Sequence, residues 1–237
     1  MFVRHCLMMF VRHCLIMMCV FMLSACSSNS RPFDIKNLAK SDMDLITDIH
    51  IAEVRSLTQS LMIKLYKRNP RELAKVPDQT VTSRLESVMT IERPVYGYPE
   101  LGYVDGVDAL HLAFAERFEG DRVFALMVGV TGMLSSSYNH QLEFFILDDI
   151  DQQQLYNSAR NLETVAWLLN TREDEKGELL LLGNGLTLDG TPNYSFERTL
   201  GQMIIIQDMM AKMVSDSTNR AINQVVHGVA SMTFFPI

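Results

Sequence analysis

From Phe196 onward, apolar and small side chains recur at intervals of three and four: Phe196, Leu200, Met203, Gln207, Met210, Val214, Thr218, Ala221, Val225, Val229 and Met232. That spacing lines one face of an α-helix and has no counterpart in the two-residue period of a strand. It predicts either one helix of roughly 38 residues, on the order of 57 Å long, or a pair of helices with a break near Ser215–Asn219. Ser195 is the expected cap, with Arg198 where a capping box carries Glu. A chain that ends this way must supply other helices to cover so long a stripe.

The rest of the sequence offers them. Ser41 and Asp44 form an approximate capping box for a helix expected to reach Arg68, since Pro70 biases Asn69 away from helix. Met43, Ile46, Ile49, Val54, Leu57, Leu61 and Leu65 fall on one face of it. Further helices are expected over Asp78–Thr90 and Val107–Ala115, with a turn at Gly120-Asp121. Val123–Leu134 carries no charge and is too short to span a bilayer, so it reads as a buried central helix. Ala125, Gly129 and Gly132 give it a low profile for close helix approach. Asp148 and Asp149 are cap candidates for a helix through Leu169, with a stripe of Leu155, Ala159, Leu162, Ala166 and Leu169 and with Trp167 at its edge. Between Glu178 and Leu188, two apolar runs flank Gly183-Asn184-Gly185, a pattern that suits a β-hairpin near 179–188. Glu92–Gly106 holds two prolines, three glycines and three tyrosines and reads as the longest loop. The expected fold is mainly α: a multi-helix bundle over 41–237 with a long C-terminal helix or helix pair and one small hairpin.

Residues 1–25 differ in kind. They carry Arg4 and Arg12, no acidic residue, and an apolar run from Leu15 to Leu23, the pattern of an export signal. The octet Met1–Met8 repeats nearly unchanged at Met9–Ile16, as a short duplication or a start at Met9 would give. Cys6, Cys14 and Cys19 lie inside this segment, Cys26 ends it, and no cysteine follows. Cleavage before Cys26 therefore excludes disulfide staples and cysteine-based metal sites from the mature chain. It also removes two of the 21 basic residues, leaving 19 against 28 acidic ones, a formal charge of −9. That balance argues against nucleic acid as a partner. The basic run Lys64–Arg71 reads as a helix end with cations near its C-terminus.

Leu23-Ser24-Ala25-Cys26 resembles the bacterial lipobox. The resemblance implies cleavage between Ala25 and Cys26, a diacylglyceryl group on the Cys26 thiol and an N-acyl group on its amine. Two or three acyl chains anchor durably where one is marginal. Ser27 in the position where Asp commonly signals inner-membrane retention implies the outer membrane, on its periplasmic side. Residues 26–40 then form the lipidated terminus and a short tether rich in Ser and Asn. Lys64–Leu73 (KLYKRNPREL), Leu155–Glu163 (LYNSARNLE) and the FFPI ending resemble a group of uncharacterised proteobacterial lipoproteins. That resemblance brings no assigned activity.

Motifs of chemistry are sparse. The sequence contains no GxSxG, HExxH or GxxxxGK[ST] pattern. His50 and Glu53 share the apolar face of the first helix and form the most interesting polar pair, although His-x-x-Glu reverses the dinuclear-metal order. Asp108 with His111, and His140 with Glu143, repeat the three-residue spacing. No metal and no cofactor beyond the acyl groups on Cys26 is expected. The leading expectation is a non-catalytic structural or accessory component of the cell envelope, held to the membrane by its anchor and partnered by another envelope protein. One alternative is a module for a lipid or small apolar ligand, with Met203, Met209, Met210 and Met213 as an adaptable lining. The other is an enzyme using His50 and Glu53.

Overall fold

The computed structural model describes residues 36, 39–90, 97–187, 189–223 and 233–237. The chain divides between Ala39 and Lys40, and the helical bundle is built by the unit from Lys40 to Ile237. Helix α1 (Asp42–Arg68) starts at a reciprocal cap: the Asp44 N–H donates to the Ser41 hydroxyl at 3.2 Å, and the Ser41 N–H donates to the Asp44 carboxylate at 2.6 Å. It stops at Asn69, and Pro70 opens the short α2 (Pro70–Leu73), where a missing N–H costs nothing. Helix α3 (Val81–Met89) begins later than Asp78 because Asp78 has φ +66 and Thr80 takes the cap with Ser83.

After a 3₁₀ turn at Pro99–Leu101 come α4 (Gly106–Ala113), α5 (Arg122–Ser137), α6 (Gln152–Thr171) and the C-terminal α7 (Ser195–Thr218). The described residues are thus mainly helical, with one two-stranded hairpin. The uncharged run occupies the middle as expected: Val123 to Val128 are all fully buried in α5. Helices α6 and α7 pack along each other, and α4 lies against α5. From α7 the core receives Phe196, Leu200, Met203, Met210 and Val214, so the predicted stripe holds to Val214. Gln207, the polar member of that stripe, is buried with its amide paired. It accepts from the Tyr138 hydroxyl at 2.6 Å and donates to the Ser158 hydroxyl at 2.8 Å.

Some boundaries differ from the sequence expectation. Asp151 caps α6, accepting from the Gln153 and Gln154 N–H groups. Asp148 is engaged one turn earlier, accepting the Phe145 N–H at 2.8 Å, and Asp149 faces Arg220 at 3.6 Å. Ser195 is the first residue of α7, and the preceding Asn193 side chain accepts its N–H. Helix α7 is the expected long C-terminal helix, and it ends at Thr218, with Asn219 at φ +54, inside the break anticipated at Ser215–Asn219. Val225, Val229 and Met232 lie outside the described residues.

The hairpin is displaced as well. Strand β1 (Gly185–Leu186) pairs antiparallel with β2 (Pro192–Asn193), and the turn spans residues 187–191, where Thr187 hydrogen-bonds Asp189. Gly183-Asn184-Gly185 is therefore not the turn. Leu180 and Leu181 are both buried, which an alternating strand does not allow, and the Leu180 N–H returns to the Arg172 carbonyl.

The basic run of α1 and α2 holds this segment down. Arg68 donates to the Leu186 carbonyl and Arg71 to those of Leu179 and Leu180, each at 2.9 Å. Asn69 exchanges two hydrogen bonds with the Leu182 backbone. Lys64 reaches Thr199 at 2.6 Å. At the end of the chain, the buried Asn161 side chain clamps both backbone groups of Phe235. Phe234 docks in the core edge-on to His111, with ring centroids 5.0 Å apart.

Two contacts fix the centre. A Cβ on Gly132 falls 2.2 Å from Asp105 Oδ1 and 2.7 Å from the Gly106 nitrogen, so the cap of α4 sits directly on α5. The Asp121 carboxylate caps α5 through the Phe124 N–H and accepts the Tyr66 hydroxyl of α1 at 2.8 Å. It lies 3.6 Å from Arg84 Nε of α3. Gly132→Ala should lower stability by about 1–3 kcal/mol through overpacking, read as a reduced midpoint in urea with unchanged slope. Asp121→Ala leaves the Tyr66 hydroxyl buried without its acceptor and takes one of two carboxylates away from the buried Arg84, which keeps Glu100, and should remove about 3–5 kcal/mol. A loss under ~1 kcal/mol in the same titration would show that the carboxylate does not hold these helices together.

Candidate functional site

Ala25 and Cys26, the cleavage and lipid-attachment positions, lie outside the described residues. His50 and Glu53 are placed on α1, and no hydrogen bond joins them among the described residues. The half-buried His50 ring points Nδ1 toward the Met210 sulfur of α7 at 3.1 Å, whereas Glu53 is exposed. The candidate methionines also part company: Met203 and Met210 are fully buried, while Met209 is 53% exposed. They form no common lining.

A cleft lies between α1, α3 and the chain leaving α5. Its inner end is a cavity of about 90 Å³ with an apolar floor from Ile51, Val54, Val88 and Leu134. Polar groups from Arg55, Thr131, Ser135, His140 and Gln141 surround it. Past Arg55 and Met89 the cleft opens into a wider groove of about 600 Å³ bordered by Asp48, Glu86 and Glu143. Arg55 is fixed by donating to the Met89 carbonyl at 2.9 Å. Gln141 donates to Asp148 at 3.1 Å, and its amide oxygen is buried without a partner. Such a site can receive a small group carrying a hydrogen-bond donor on an apolar body.

His140 faces two hydroxyls, Ser135 Oγ at 3.1 Å from Nδ1 and Ser136 Oγ at 3.4 Å from Nε2. Activating a serine requires the second ring nitrogen to be oriented by a third group, normally a carboxylate. Here a second hydroxyl occupies that place. His111 pairs with the Phe234 ring. Among the described residues, no group of three or more His, Cys, Asp or Glu side chains could hold a metal ion.

The buried ions were not visible to sequence reasoning. Arg84 is 3% exposed, lies 4.0 Å above the Phe124 ring and is held by Glu100 through two hydrogen bonds of 2.5 and 2.7 Å. Burial lowers the Arg84 pKa, but Glu100 and Asp121 more than offset it, so the net direction is upward. Burial raises the Asp121 carboxyl against the opposing pull of the Phe124 N–H, Tyr66 and Arg84. Glu72, 1% exposed, accepts the Arg122 N–H at 2.9 Å and pairs with Lys75 at 2.7 Å. These groups tie helices together and do not line the cleft described above.

Compared with protein-family models, curated proteins and solved structures, the chain matches none. Among the described residues, no helix is long and apolar enough to cross a membrane.

Burial lowers the His50 pKa from its ordinary 6.5, so the folded chain resists a proton that the unfolded chain accepts. Stability then falls as pH drops through the unfolded value, because the unfolded state binds more protons. Urea titrations at about pH 7.5 and about pH 5.5 should show a larger acid loss for the native chain than for His50→Gln. Equal losses would mean that the packing against Met210 imposes no penalty on the charged ring.

Proposed function

We propose that this chain is a bacterial lipoprotein, acylated on Cys26 and held on the periplasmic face of the outer membrane, acting as a non-catalytic accessory component of the cell envelope. The observation that carries the reading is Leu23-Ser24-Ala25-Cys26, set at the end of an apolar run and 14 residues before the helical unit begins at Lys40. The residue types suit the chemistry: small side chains admit a protease, and the Cys26 sulfur is the nucleophile that takes the diacylglyceryl group.

The helical unit supports an interaction role over an enclosed lipid. Ligand pockets are typically ~300–1,000 Å³; the inner end of the cleft measures about 90 Å³, and the adjoining groove of about 600 Å³ is open and bordered by Asp48, Glu86 and Glu143. The partner in this reading is another envelope protein.

Cells expressing the native chain should incorporate labelled fatty acid into it and place it in the outer-membrane fraction. Cys26→Ala should take up no label and leave that fraction, because each buried methylene is worth ~0.8 kcal/mol and all acyl chains are lost together. A native chain without label, joined by a Cys26→Ala chain that still fractionates with membranes, would remove the proposal.

A further inference from the structure

The end of the helical unit where the chain enters it is built differently from the rest. Lys40, its first residue, is ion-paired with Asp48 of α1 and lies 4.7 Å from the centre of the Phe145 ring. Asp48 also accepts the Phe144 N–H at 2.8 Å. The chain then closes a tight turn over Phe145–Asp148: the Asp148 N–H donates to the Phe145 carbonyl at 2.7 Å, and the Asp148 carboxylate accepts the Phe145 N–H.

This double closure leaves the two central residues, Ile146 and Leu147, on the outside. They are 65% and 94% exposed, and Ile49, next to Asp48 on α1, is 52% exposed. Single exposed apolar residues are ordinary. Two in succession, at the tip of a turn that hydrogen bonds hold in place, are not explained by packing, since Phe144 just before them is fully buried in the core.

We infer that the Phe145–Asp148 turn is a second membrane contact, its Ile146 and Leu147 side chains entering the surface of the bilayer that carries the Cys26 anchor. The inference rests on the lipoprotein reading for the identity of its surface. Lys40 is the point of the helical unit nearest in sequence to Cys26, 14 residues away. A chain of that length spans at most roughly 50 Å. The tether therefore keeps the Lys40 end within that reach of the bilayer, and the turn touches Lys40 through the Phe145 ring. The surroundings select the lipid: the cations beside the turn, Lys40 and Arg220, are paired with Asp48 and Asp149, and Glu143 and Asp149 are exposed and acidic, which suits a zwitterionic surface better than an anionic one. A peptide-binding role for the same turn fits less well, since a convex tip offers no groove.

The test couples the mature chain, through its one thiol at Cys26, to phosphatidylcholine vesicles containing a maleimide lipid. The coupling sets the geometry whether or not cells acylate the residue. Leu147→Trp adds an indole at a position with no packing to disturb. On vesicles whose acyl chains are brominated near the headgroup, the added emission should fall by roughly half or more. The native Trp167 signal should stay unchanged. Glu175→Trp, beyond the far end of α6 and about 30 Å away along that helix, should not be quenched. Equal emission from Leu147→Trp on brominated and plain vesicles overturns the inference, as does equal quenching at position 175. The mass of Cys26 in protein taken from cells reports on the anchor alone, so an unacylated native chain sinks the proposed function independently of the quenching result.

Discussion

One buried carboxylate decides how the central helices meet. Helix α5 is apolar on every side through Val128, and such a helix has little to fix its rotation or its position along its axis. Asp121 supplies both. It satisfies the Phe124 N–H at the helix start while accepting from Tyr66 of α1 and facing Arg84 of α3. An isolated charge in that position is prohibitive, and the surroundings oppose the cost with one cation and two donors. Burial still dominates at the carboxyl, whose pKa is raised, so the site favours order over strength. Arg84 is constrained in turn, set over the Phe124 ring and held by both oxygens of Glu100. The close crossing of α4 over Gly129 and Gly132 is possible because this arrangement fixes which face of α5 turns outward.

Local signals made much of the fold readable. The Ser41–Asp44 cap, the stop at Pro70, the uncharged α5 and the stripe of α7 each depend on residues a few positions apart, and each appears in the fold. Errors came where a choice among neighbours is settled from afar. Three aspartates lie within Asp148–Asp151, and only after Asp148 has closed its turn does Asp151 become the cap. The leucines of 179–182 look like a hairpin strand, but Arg71 and Asn69, over a hundred residues earlier, draw them onto α1 and α2. Nothing local in the sequence marks Arg84 and Glu72 for burial, because their partners, Glu100, Asp121 and Arg122, follow no fixed interval. The candidate pair His50 and Glu53 illustrates the limit differently: a shared face in projection spans a wide arc, and α7 covers the part holding His50 while Glu53 stays exposed.

The basic run of α1 and α2 is largely engaged within the fold itself. Lys64, Arg68, Arg71 and Lys75 all donate to protein oxygens: carbonyls of the hairpin segment, the Thr199 hydroxyl, the Glu72 carboxylate and the Gly120 carbonyl. A patch that could attract an anionic surface is turned into a set of clamps, with Arg71 and Lys75 also paired with Glu72. What the chain then offers to solvent is acidic overall, and a bilayer contact made through this surface must draw on apolar area in place of charge.

That constraint bears on how rigid the contact has to be. A loose apolar loop in water folds back on itself or onto the core, as Phe144 does one residue before the turn. Keeping Ile146 and Leu147 outward requires backbone closure on both sides, which Asp148 provides, and a fixed base, which Asp48 provides through the Phe144 N–H and Lys40. The same Asp48 sits on α1, whose first turn is capped by Ser41 directly after Lys40. The start of the helical unit, the orientation of its first helix and the direction of the apolar turn are therefore set by one short run of residues, Lys40 to Asp48. Lys40, the first residue of that unit, thus bears on the turn through the Phe145 ring and on α1 through Asp48.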